Sequence, residues 1–157
     1  MLRGLQAEIK QTKPFRSLED EAYLNLLRTA DALLRKEVEL LKEFGLSPTQ
    51  YNALRILRGA GDEGVTCGEL SDRMLTKDPD VTRLIDRLEG RGLLQRARSD
   101  QDRRVVRTRI TAAGLDVLAR LDEPSDRWTR GQLGHLTKTE LRDFIRLLER
   151  ARAGAAR

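Results

Sequence analysis

TCGELSDRMLTKDPDVTRLIDRLEGRGLLQRARSDQDRRVVRTRI, residues 66–110, changes its apolar period partway along. Up to Gly92 the apolar residues recur at helical spacing; after it they alternate. Thr66-Cys67-Gly68-Glu69 is a capping box, a hydroxyl followed three residues on by a carboxylate, and it opens a short helix with Leu70, Met74 and Leu75. Asp78-Pro79 opens the next helix, 78–91, which Gly92 ends. At about 100° per residue, Val81, Leu84, Ile85 and Leu88 cluster on one side of that helix. Pro79, Thr82, Arg83 and Asp86 point away from the cluster, and Arg87 stands at its edge. Residues 93–98 and 105–110 read as two strands; in the second, Val106, Thr108 and Ile110 share one face and Arg107 and Arg109 the other. The polar loop 99–104 joins them as a hairpin.

Upstream, Ser47-Pro48-Thr49-Gln50 is a second box with proline at the first helical position, and Tyr51, Leu54, Ile56 and Leu57 supply that helix with a core face. Gly59, Gly61 and Gly64 end it, and Val65 reads as a short strand. A longer helix is signalled over 17–44, capped by Ser17 with Asp20 near box position, and would be about 40 Å long. Leu24, Ala32 and Leu40 widen its apolar stripe, which implies burial on more than one side. Downstream, Thr111 caps a helix with Leu115, Leu118 and Leu121, which Pro124 should kink or interrupt. Thr137-Lys138-Thr139-Glu140 opens a last helix with Leu141, Phe144, Ile145 and Leu148. The chain is thus mainly α with a small β-wing, an α+β organisation, divided at 1–44, 45–110 and 111–157.

The 157 residues carry 30 Lys and Arg against 25 Asp and Glu, a net charge of +5. Residues 91–109 hold seven arginines (91, 96, 98, 103, 104, 107 and 109) and two acids, Asp100 and Asp102, an excess equal to that of the whole chain. A compact positive segment on a balanced body is an electrostatic footprint for a polyanion. Aromatic residues are 4%, too few for a base-stacking platform on single strands. One cysteine, Cys67, excludes an intrachain disulfide framework, and it reads as a buried structural residue. His135 stands alone without ligand spacing, structural or solvent-facing, and no metal or cofactor site is expected. No phosphate loop, nucleophile elbow or zinc-protease motif occurs, so no catalytic residue is assigned and no enzyme is expected. No apolar run suits a signal peptide or a membrane span, which makes the cytoplasm the expected compartment.

Helix, short strand, helix, turn, helix, strand, loop, strand over 48–110 is a helix-turn-helix followed by a β-wing, a layout that sets one helix in the DNA major groove. Arg83 could fork onto guanine O6 and N7; its alternative is a solvated arginine paired with Asp80 or Asp86. The wing can reach the neighbouring minor groove with Arg103 and Arg104, with Asp102 bracing one of them by an ion pair; the alternative is a charged hairpin that serves solubility alone. The competing function is a winged-helix module that binds protein or RNA.

GLSPTQYNALRIL (45–57), ELSDRMLTKDPDVTRLIDRLEGRGLLQR (69–96) and DQDRRVVRTRITAAG (100–114) resemble the MarR family of transcription regulators, over roughly 17–150. The resemblance implies a homodimer built from the N- and C-terminal helices. It implies double-stranded DNA, as a near-palindromic operator, as the partner. It gives Arg104 the minor groove, with Asp102 orienting it, and gives Thr82, Arg83 and Arg87 base or phosphate contacts, beside Arg98 and Arg103 of the wing. It also implies a candidate effector pocket for a small molecule, with Tyr23, Leu27, Tyr51 and Trp128 as lining residues or, alternatively, as core. The sequence departs from the family pattern at the acidic Asp78-Pro79-Asp80 and at Pro124.

Overall fold

The computed structural model describes residues 4–77, 80–98 and 102–155. The chain forms two compact units, Met1–Glu39 and Leu40–Arg157. The first holds α1 (Leu5–Glu8) and most of α2 (Leu18–Lys42). Ser17 caps α2, its Oγ accepting the Asp20 N–H at 3.2 Å. Asp20 does not close the box, because its carboxylate is taken by the Arg16 guanidinium 2.7 Å away. Along α2 only Leu41 is buried, while Leu18, Tyr23, Leu26, Leu27, Leu34 and Val38 are exposed. The broad apolar stripe of the sequence is therefore present, with Leu24, Leu33 and Leu40 half-buried along it.

The second unit contains the core. Its helices begin where the boxes predict. In α3 (Pro48–Ala60) Ser47 accepts the Gln50 N–H at 3.2 Å and Gln50 accepts the Ser47 N–H at 3.1 Å. In α4 (Cys67–Arg73) the reciprocal pair is Thr66 and Glu69, at 3.2 and 2.7 Å. Before α5 (Val81–Gly90) the cap is Asp80, whose carboxylate accepts the Arg83 N–H at 3.0 Å. The helix proper thus starts at Val81; the expected opening at Asp78-Pro79 lies outside the described residues. Strands β1 (Leu94–Arg98) and β2 (Val106–Ile110) pair antiparallel, Leu94 opposite Ile110 and Arg98 opposite Val106. Val65 joins them through a bridge to Thr108, with hydrogen bonds of 3.0 and 2.7 Å. Leu41, Leu54, Leu57, Leu70, Leu88, Leu94, Leu118 and Leu121 are sealed at its centre; each contributes roughly 1.5–3 kcal/mol of transfer free energy.

One expectation fails here, and so does one of the two outcomes expected at Pro124. Leu75 stands 86% exposed, because α4 ends at Arg73 and the Leu75 N–H turns to the Asn52 side chain, 2.9 Å away. Pro124 does not interrupt its helix: α6 runs continuously over Ala112–Leu133. A proline in a helix interior costs about 3 kcal/mol. Anchors on both sides offset it: Leu118 and Leu121 are buried, Asp122 is held by Arg58 at 2.9 Å, and Ser125 meets the Tyr51 hydroxyl at 3.0 Å. The last helix, α7 (Lys138–Ala155), is boxed by Thr137 and Glu140 and has no buried residue. Among the described residues no helix is long and apolar enough to cross a membrane.

Candidate nucleic-acid interface

The α5 helix separates its faces as its spacing requires. Val81, Leu84, Ile85 and Leu88 are buried; Thr82, Arg83, Asp86 and Arg87 are exposed. The Arg83 Nε lies 3.1 Å from the Asp80 carboxylate, so the paired state of this arginine is the one present. Both groups are well exposed, and such a pair holds a side chain by only about 0–1 kcal/mol. The Arg83 guanidinium is oriented rather than consumed. Arg87 has no hydrogen bond or ion pair among the described residues. With Arg83, Asp80, Ser47, Thr49, Gln50 and Leu84 it lines a cleft of about 250 Å³ between α5 and the first turn of α3. Thr49 carries no signal as a site residue in the sequence, because a helix start accounts for it fully.

Thr82 sits at the entrance to α5 with its hydroxyl 3.8 Å from the Cys67 sulfur. Cys67 is exposed, against the buried position expected for it. It occupies the first position of α4, whose core contact is made by Leu70 a turn later, so the thiol faces outward.

On the wing, Arg98, Asp102, Arg103 and Arg104 are all exposed; Ser99, Asp100 and Gln101 lie outside the described residues. The expected ion pair from Asp102 is not found among the described residues. Its Oδ1 instead accepts the main-chain N–H of Arg104 at 2.9 Å, and its carbonyl accepts the Val105 N–H at 2.9 Å. A short aspartate side chain reaches the backbone two residues on more readily than a flexible guanidinium. Asp102 therefore fixes the turn that carries Arg104 and leaves the guanidinium in solvent.

The seven arginines of 91–109 divide by task. Arg91 donates to the Gly45 carbonyl at 2.7 Å. Arg107 donates to the Gly64 carbonyl at 3.1 Å and lies 3.7 Å from Glu69. Arg96 is taken by Asp86 at 2.8 Å and by Glu89. The Arg109 Nε is buried, with no partner among the described residues. Only Arg98, Arg103 and Arg104 remain directed outward, so the usable patch is smaller than the count of arginines suggests. The acids near it are compensated. The Arg96 side chain holds the Glu89 carboxyl below the usual carboxylate range, and the Thr66 N–H does the same for Glu69.

Of the residues named for an effector, Tyr51 is buried and lines a polar cleft of about 220 Å³ with Arg55, Arg58, Asp122 and Ser125. The Arg55 guanidinium carbon stands 5.6 Å from the Tyr51 ring centre, a cation–π approach. Trp128 is half-buried, and its indole N–H has no partner among the described residues. Tyr23 and Leu27, in the first unit, are exposed. His135 is exposed, and no cluster able to hold a metal ion occurs among the described residues.

The sequence model of the MarR family matches residues 44–105. A MarR transcription factor from Planctomyces limnophilus, known as a crystal structure, is 47% identical; the match covers 87% of this chain and 98% of that one, with a TM-score of 0.66. The HTH-type transcriptional regulator YpoP of Bacillus subtilis, itself uncharacterized, is 30% identical over 80% of this chain and 87% of its own length. At 20% identity, the MepR–DNA complex from S. aureus shares the fold, with a TM-score of 0.75 over 84% of this chain and 97% of that one.

Proposed function

Since the chain belongs to the MarR family and is a DNA-binding transcriptional regulator, we propose that it acts as a homodimer reading a near-palindromic operator. Residues 45–110 are the reading domain in this proposal, and 1–44 with 111–157 the dimerisation frame. Thr82, Arg83 and Arg87 face the major groove. Arg98, Arg103 and Arg104 follow the wing towards the minor groove, where narrowing raises the negative potential. Asp102 presets the turn that aims Arg104. The observation that carries the reading is the outward side of α5, a hydroxyl and two guanidiniums opposite four buried apolar residues, followed in the chain by a wing with three uncommitted arginines.

The uncovered apolar residues of α2 and α7 support the dimer, since a single chain leaves Leu26, Leu27, Leu34, Val38, Ile145 and Leu147 in water. Two-fold symmetry then sets half-sites one helical turn apart, about 34–36 Å. A small-molecule effector would act by favouring a spacing of the two α5 helices that DNA does not fit, and the cleft beside Tyr51 supports a ligand on α3 and α6. The cytoplasm is the compartment this function requires. Titrating salt against binding to duplex DNA tests the core of the proposal. Log K should fall linearly with log salt, by about 0.9 for each phosphate neutralised. Absence of duplex binding at low salt, or equal binding to structured RNA, would overturn it.

A further inference from the structure

Two carboxylates of α5 converge on one residue of β1. The Arg96 Nη2 is 2.8 Å from the Asp86 Oδ1 and rests against the Glu89 Oε2, which also accepts the Arg96 Nε–H at 2.8 Å. The second oxygen of Glu89 accepts the main-chain N–H of Arg96 at 3.0 Å. That amide has no partner in the hairpin. Arg96 lies opposite Thr108, whose own N–H and carbonyl are both spent on Val65. Glu89 therefore caps a strand edge and grips the same residue's side chain. A two-stranded ribbon is marginally stable by itself, and its direction is set by what it is tied to.

We infer that Arg96 is a positioning residue: it ties the wing to α5 at a fixed angle and covers two acids on the side turned to phosphate, and it makes no contact with DNA itself. The planar guanidinium forks onto both carboxylates, a geometry that a lysine point charge cannot reproduce. Arg96 thus belongs to the frame, whereas Arg98, two residues further along the strand, is left outward. The inference rests on the DNA-binding reading for its consequence, but the strut itself can be observed without DNA.

The test uses the whole protein and a fluorescent duplex carrying a site selected from random sequence, with anisotropy read across a salt series. By charge alone, Glu89→Ala should tighten binding, since it removes an anion. The strut requires the opposite. Glu89→Ala and Arg96→Ala should each weaken binding about fivefold, and the double variant should be little worse than either. Both should keep the parent's salt slope to within about 0.3, whereas a lost phosphate contact lowers it by about 0.9. Arg96→Lys, which keeps the charge and part of the network, should fall between Arg96→Ala and the parent, with an unchanged melting curve. Hydrogen exchange without DNA supplies the independent arm: the Arg96 amide should lose protection in Glu89→Ala. A drop of about 0.9 in slope for Arg96→Ala, or parent-like affinity of Glu89→Ala, overturns the positioning role. If no duplex is bound even by the parent, the DNA reading fails, and the exchange result alone decides whether the strut exists.

Discussion

Replacing Gly64 by alanine should detach the wing from the helices. Gly64 has φ +64° and ψ −172°, a region essentially restricted to glycine, where another residue costs about 1–3 kcal/mol. Its added Cβ would stand 2.5 Å from the Thr108 carbonyl oxygen and 2.7 Å from the Arg109 Cγ. The arginine methylene can swing aside. The carbonyl cannot, because it accepts the Val65 N–H at 3.0 Å in the bridge that holds β2. Relieving the overlap opens that bridge, with two hydrogen bonds worth about 0.5–1.5 kcal/mol each. The total is about 2–6 kcal/mol, a large share of the roughly 5–15 kcal/mol that holds a domain together. At about 2–4 °C per kcal/mol for a chain of this size, melting should fall by roughly 10 °C. Thermal and urea melts at fixed protein concentration measure it, the fixed concentration being needed for any protein that associates. A loss below about 1 kcal/mol would show that the Gly64–Thr108 approach is not a rigid contact.

Arg104→Ala should weaken duplex binding and lower the salt slope by about 0.9 without altering the melt, since the side chain has no partner to lose; unchanged affinity would remove the wing from the interface. Arg83→Ala should relax base preference at one position by about 1–3 kcal/mol in a site-selection experiment, and uniform weakening on all sequences would make it a phosphate contact only. Leu147→Glu on α7 should shift sedimentation equilibrium towards monomer, and a parent that sediments as a monomer at micromolar concentration would refute the dimer. The folded pKa values of Glu69, Glu89 and Glu140 are all depressed, so their contribution is present above the unfolded value of about 4.3 and lost as pH falls through the lower folded values. Urea midpoints should therefore be insensitive to these groups from pH 8 to about 5 and fall on further acidification, and a rise below about pH 4 would contradict the assignment.

What was legible in the sequence is what local chemistry decides. The four core residues of α5 follow from one angular rule, and the boxes at 47–50, 66–69 and 137–140 are complete within four residues each. The hairpin followed from a change of period. Several of the differences come from distant partners. Pro124 stays helical because Arg58 and Tyr51, more than sixty residues earlier, hold its neighbours. Arg91 is spent on Gly45, and no count of charges could reveal that. Cys67 faces out because Leu70 faces in, a choice that seven residues of helix leave open in one dimension. At Asp102 the difference is one of partner type: the turn's own amide, two residues on, takes the carboxylate that an ion pair would need.

The eighteen residues of α7 bury no side chain of their own. A helix of that length with only Leu141, Phe144 and Leu148 half-covered is marginally stable in water. In the proposed dimer this segment would gain its support from the partner, so its melting would depend on protein concentration.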